Sequence, residues 1–144
     1  MSYRRIALAA VAAWVVSLGL GYLINDIWLA NVYAANAWAF RHADQMAPLL
    51  PYGFAAQLVA FFAFAYVYAR GYDGHGSDIG EGIRFGLIVA VMIDGFAVVW
   101  NYVSQPIALR LGALQLIEHI GEFGVYGAVI GALYRPSATP RPAE

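Results

Sequence analysis

Four long apolar stretches constrain this chain more than any other feature. The stretches 6–25 and 45–69 carry no charged residue, and the spanning part of the second begins after Pro48 and Pro51. The stretch 85–103 is apolar except for Asp94, and 111–134 except for Glu118, His119 and Glu122. A hydrocarbon core about 30 Å thick takes roughly 20 helical residues to cross. Isolated strands in that environment would leave backbone groups unpaired, so helices follow. The runs predict four transmembrane helices over about 6–25, 51–69, 85–103 and 111–134. Arg4 and Arg5 resemble the start of a signal peptide, but the run behind them exceeds the roughly 7–15 apolar residues of such a segment. A retained span is expected.

Composition narrows the function classes. Hydrophobic residues make up 62% of the 144 and charged residues 12%, against roughly 45–50% and 25% in a soluble domain. The eight basic residues are all Arg, the net charge is -1 and the mean hydropathy is +0.63. A soluble enzyme, a disordered chain and a nucleic-acid binder with a basic face are excluded. The lack of Cys excludes disulfides, iron–sulfur clusters, thiolate zinc sites and a Cys nucleophile.

Arginine asymmetry gives an orientation. Arg4, Arg5, Arg70, Arg84, Arg135 and Arg141 fall on one side, Arg41 and Arg110 on the other. Both termini and the 70–84 loop are therefore expected in the cytoplasm. Trp28, Trp38, Tyr52, Trp100 and Tyr102 would line the outer interface, and Tyr3, Tyr68, Tyr72 and Tyr134 the inner one. Short connections predict an all-α, up-down-up-down four-helix bundle over 1–134, with a disordered cytoplasmic tail at 135–144. In the longer 26–50 connection, Trp28, Leu29, Val32, Tyr33, Ala37 and Phe40 recur at helical spacing. This segment is expected to extend the first helix or lie along the interface. In the 71–82 loop, Gly71 is expected to stop the second helix, Gly74 and Gly76 to turn the chain, and Asp78 with Glu81 to form a capping box. Its glycine spacing fits neither a dinucleotide fingerprint nor a P-loop, and it lacks the alternating ligands of a calcium loop.

The residues that point to function are the acids inside the spans. Asp94 and Glu122 fall near the middle of the third and fourth spans, where a charge costs roughly 2.5–3.5 kcal/mol or more. No Lys or Arg lies inside a span to neutralise them. Gln115, Glu118, Glu122 and Tyr126 follow one helical stripe. Asp94, Asn101 and Gln105 follow another, Ser17, Gly21 and Asn25 a third, and Gln57 stands on the second span. Nearly all lie between the midplane and the expected outer surface. They predict an outward-opening polar pocket ending at Asp94 and Glu122. Two carboxylates about 4 Å apart would repel by about 4 kcal/mol at an effective dielectric near 20. The cluster is therefore read as protonatable, with proton holding, cation binding or metal ligation within its chemistry. His119 lies about 100° round the helix from Glu118, so its share in the site is open. Interhelical hydrogen bonding with no ligand is the competing reading. A di-iron site would want Glu-x-x-His on two helices, whereas one helix here carries Glu118, His119 and Glu122 in another order. No metal set is assigned, and the cofactor, if any, is unknown.

Gly124, Gly127 and Gly131 on the fourth span would permit close approach of a helix. Packing within the chain and a face for a partner helix both fit. Four short spans bury little alone, which leaves room for a homodimer or a larger membrane complex beside the lipid bilayer.

The segments Ala69-Arg70-Gly71-Tyr72-Asp73-Gly74, Glu81-Gly82-Ile83-Arg84-Phe85-Gly86, Asn101-Tyr102, Gln105-Pro106-Ile107 and Tyr134-Arg135-Pro136 resemble a group of small, uncharacterised bacterial four-span proteins. The Glu-Gly-x-Arg-Phe-Gly element is the most specific part. Members often carry a His near the outer end of the first span, where this chain has Asn25-Asp26. The resemblance implies a multi-pass protein of the bacterial cytoplasmic (inner) membrane and supplies no activity. The expectation is a non-enzymatic membrane protein binding a proton, cation or small polar ligand at Asp94, Glu118, Glu122 and His119, with Asn101, Gln115, Asn25 and Gln57 lining the pocket. The alternatives are an accessory subunit of a larger membrane complex and a cofactor- or metal-carrying anchor.

Overall fold

A computed structural model describes residues 2–74 and 77–134, and all regular structure among them is helical. Helix α1 (Tyr3–Gly21) runs on as a π-helical segment, Tyr22–Trp28, and is followed by the short α2 (Ala30–Ala35). A 3-10 turn (Ala37–Ala39), α3 (Ala43–Met46) and a second 3-10 turn (Ala47–Leu49) lead into α4 (Leu50–Gly71). Helix α5 (Asp78–Ile93) continues through a π segment (Asp94–Val98) into α6 (Val99–Ser104), and α7 (Leu109–Leu133) completes the set. Four stretches are long and apolar enough to cross a membrane: Tyr3–Trp28, Ala37–Gly71, Asp78–Ser104 and Leu109–Leu133. They contain the four apolar runs apart from Tyr134, extending beyond the first three at both ends and beyond the fourth at its start. Gly76 of the expected turn and the 135–144 tail lie outside the described residues.

Local chemistry sets the breaks. Pro51 stands in the first turn of α4, where its fixed φ suits a helix and its missing N–H has no partner to lose. Beyond α4, Gly74 takes a left-handed φ of 70°. The start of α5 differs from the capping box expected of Asp78 and Glu81. Ser77 is the cap, its hydroxyl oxygen accepting from the Gly80 N–H at 3.4 Å. The Glu81 carboxylate instead reaches across the loop to the Asp73 N–H at 3.2 Å. The Tyr72 hydroxyl donates to the Asp78 carboxylate, which pushes the phenol up to about 12. Carboxylates thus tie the end of α4 to the start of α5.

Helix α7 is the hub. It packs most extensively against α5, and also against α1, which packs in turn on α4. Apolar helices in lipid gain little from hiding apolar surface, so small residues and tight contact decide how they pair. Helices α5 and α7 run antiparallel with their backbones touching. A Cβ at Gly82 would collide with the Gly127 carbonyl, one at Gly86 with that of Phe123, and one at Gly131 with that of Asp78. The face formed by Gly127 and Gly131 is therefore filled from within the chain. Gly124 lies beside it, with room for a Cβ against Leu87.

On the other side of α7 the core is small against large. Ala9, Ala10 and Ala13 of α1 are fully buried among Phe61, Phe64, Ala65 and Tyr68 of α4 and Tyr126 and Ile130 of α7. Phe64 stacks on Phe85 at 5.0 Å between centroids and meets Phe123 edge-on at 5.8 Å. Ring pairs of this kind add about 0.5–1.5 kcal/mol beyond the area they bury.

Gly82→Ala or Gly127→Ala should push α5 and α7 apart and lower stability by about 1–3 kcal/mol, read as thermal unfolding in detergent. Gly121→Ala, where an added Cβ meets nothing within 4 Å, should hold stability or raise it by up to about 1 kcal/mol. Equal behaviour of the three variants would contradict backbone contact.

Candidate functional site

Where the antiparallel α5–α7 contact continues beyond its glycines, the polar residues begin. Asp94 opens the π segment in the third apolar stretch and is 6% exposed. There the Val99 N–H bonds back five residues to the Asp94 carbonyl. Such π turns are rare and gather at functional positions. The Asp94 carboxylate lies 3.0 Å from His119 Nδ1 on α7, the one carboxylate–imidazole contact among the described residues.

Glu118, the residue before His119, turns another way. Successive helical residues point about 100° apart, so α7 gives His119 to α5 and Glu118 to α2. Glu118 is 7% exposed, and its Oε1 accepts from the Tyr33 hydroxyl at 3.4 Å. Gln115, one turn earlier, donates from Nε2 to the same Tyr33 oxygen at 3.3 Å. Glu118 Oε2 is buried and has no hydrogen-bond partner among the described residues. Glu122 follows one turn on, half-buried, and interacts with the Tyr126 hydroxyl. Glu118, Glu122 and His119 lie close enough to feel one another's charge.

Tyr33 belongs to the segment expected to extend the first helix or lie along the interface. The first helix does run on, as far as Trp28, and α2 then reaches the start of α7 through Tyr33 and Asn36. Asn36, 5% exposed, fixes it there: its Oδ1 accepts from the Ala108 N–H at 3.0 Å and its Nδ2 donates to the Val32 carbonyl at 2.9 Å. Burial pushes the Tyr33 phenol above its ordinary value near 10, the Gln115 hydrogen bond pulls it back, and the Glu118 charge adds to the rise. Tyr33 and Asn36 are the members of this cluster that sequence reasoning missed. Their only signal was two polar side chains three apart, Tyr33 in α2 and Asn36 just beyond its end, and α2 carries Asn31 as well.

The structure brings together Asp94 with His119, Gln115 with Glu118 through Tyr33, and Glu122 with Tyr126. The other expected site residues are elsewhere. Asn101 and Gln57 are exposed. Asn25 bonds back to the Gly21 carbonyl of its own helix at 3.0 Å, as Ser17 does to that of Trp14 at 2.7 Å. Asp94 has His119 as its direct partner, the share in the site that helical position alone left open. No group of three or more His, Asp or Glu side chains set to hold a metal ion occurs among the described residues.

The chain matches no family model, and neither a curated protein nor a solved structure is significantly similar to it. The chemistry of the cluster is therefore read from its own geometry. Three carboxylates and one imidazole, with no Lys or Arg among them, can exchange protons or attract a cation.

If α2 covers Glu118, loosening α2 should expose that position. The chain has no Cys, so Glu118→Cys makes a unique reporter. Adding Asn36→Ala removes a hydrogen bond worth about 0.5–1.5 kcal/mol and should speed modification by a small charged thiol reagent roughly 2–10-fold. An unchanged rate would mean that α2 is not the cover.

Proposed function

We propose that the protein is an up-down-up-down four-span bundle of the bacterial inner membrane with both termini in the cytoplasm. Within it, Asp94, His119, Glu118 and Glu122 bind a proton, a cation or a small polar ligand. The arginine count supports the orientation. Bilayer placement draws support from side chains such as Phe96 at 83%, Leu109 at 69% and Val91 at 68% exposure, which would form an aggregation surface in water.

Glu118 carries the functional reading. A carboxylate oxygen buried without a donor costs about 1–3 kcal/mol or more. A chain that only needed helix packing would gain by placing an apolar side chain there. A proton or a bound cation satisfies that oxygen. Glu122 on the next turn and the Asp94–His119 pair beside it can hand on a proton or share a cation's charge. The α2 cover supports access from the outer side, by release of Tyr33 and Asn36.

The two other readings have less support. The glycine face that would dock a larger complex is filled by α5, and no third ligating side chain joins Asp94 and His119 to hold a metal among the described residues.

Infrared spectroscopy of the protein in bilayers tests the proposal. The carboxyl band assigned by its loss in Glu118→Gln should change when pH is moved from mildly acid to mildly alkaline, or when a cation is added. Bands of Asp94, Glu118 and Glu122 that ignore both treatments would leave a structural cluster with no ligand.

A further inference from the structure

At the opposite end of α5, a groove runs between α4 and α5. It is lined by Tyr68, Gly71, Glu81, Arg84, Phe85 and Ile88, and a second hollow lined by Ser77, Gly80, Glu81 and Arg84 adjoins it. The two hollows share one acid and one base. Arg84 and Glu81 are three apart on α5, yet form no ion pair with each other. Arg84 is exposed and has no hydrogen bond or ion pair among the described residues. Its neighbours Ile83, Leu87 and Ile88 are exposed at 39%, 39% and 56%.

An arginine carries five N–H donors in a fork that fits phosphate. Its exposed apolar neighbours would lie against acyl chains, so the anion at hand is a lipid phosphate. A purely anionic headgroup would also meet the Glu81 carboxylate, which has one oxygen on the Asp73 N–H and the other left for a cation. We infer that Glu81 and Arg84 form a binding site for an ethanolamine phospholipid, the phosphate on Arg84, the ammonium on Glu81 and an acyl chain along Phe85 and Ile88. Residues three apart on a helix stand roughly 5–6 Å apart at Cβ, a span that the short ethanolamine arm can bridge. Gly71 keeps the groove open: a Cβ added there meets nothing within 4 Å. The inference rests on the bilayer placement proposed above and is independent of the Glu118 cluster.

Native mass spectrometry of the detergent-purified full chain, supplied with equal phosphatidylethanolamine and phosphatidylglycerol, tests it. The wild type should retain the ethanolamine lipid in preference. Arg84→Gln should cut that retention roughly fivefold, Glu81→Gln should shift preference toward phosphatidylglycerol, and Gly71→Leu should reduce retention with both charges intact. Equal retention of the two lipids, a wild-type preference for phosphatidylglycerol, or indifference to Arg84→Gln and Gly71→Leu would overturn the site while leaving the bilayer reading intact. A chain that stays soluble without detergent and retains neither lipid would overturn both.

Discussion

The closeness of α5 and α7 governs the rest of this structure. Gly82 and Gly86 on one helix and Gly127 and Gly131 on the other remove the side chains that would hold the backbones apart. Contact then becomes possible along a whole antiparallel face, and its register is fixed by the pairs 82 with 127 and 86 with 123. Carried further along the same two helices, that register brings His119 to Asp94. In lipid, where water offers no alternative partner, a pair set by backbone contact has little else to do but meet. Packing and site are therefore one construction, and any side chain that separates the helices also separates the acid from the imidazole.

The helix faces divide the work. The α5 face of α7 carries glycine and then His119. The α2 face carries Gln115 and Glu118. Farther along the same stripe, Tyr126 and Ile130 meet α1 and α4, packed against alanine and phenylalanine. Aromatic side chains fill one end of the bundle, from Phe61 to Tyr134, and the polar groups collect toward the other. Short α2 closes that polar end with Tyr33 and Asn36. The same α5 helix carries glycines inward and Glu81 and Arg84 to its edge, so one short element serves packing and surface alike.

Much of this was legible in the sequence, for physical reasons. A run of apolar residues long enough to cross a bilayer has few other fates, so the four long helices followed from length alone. Asp94, Glu118 and Glu122 stood out because charge in such a run is costly. What pairs with what was not legible. Helical spacing shows which residues of one helix share a face, but not toward which neighbour that face turns. Asn101 shared a polar stripe with Asp94 on paper and Gln57 stood alone on its span, yet both are exposed, while His119, placed about 100° off the acid stripe, is the residue that meets Asp94. The π segment at Asp94 left no mark in composition, and Tyr33 read as one more aromatic residue at an interface. The glycine face was visible, but not the helix that fills it, because Gly82 read as part of a turn and cap and Gly86 as one more residue of an apolar run.

The most direct measurement is a double-mutant cycle on Asp94→Asn and His119→Gln, read as unfolding free energy in lipid–detergent mixtures. Two side chains working as one unit give a coupling energy of about 0.5–3 kcal/mol, so the double variant should lose clearly less than the sum of the two single ones. Strict additivity would mean that Asp94 and His119 do not act together, and would contradict the account of α5 and α7 as the frame of a site.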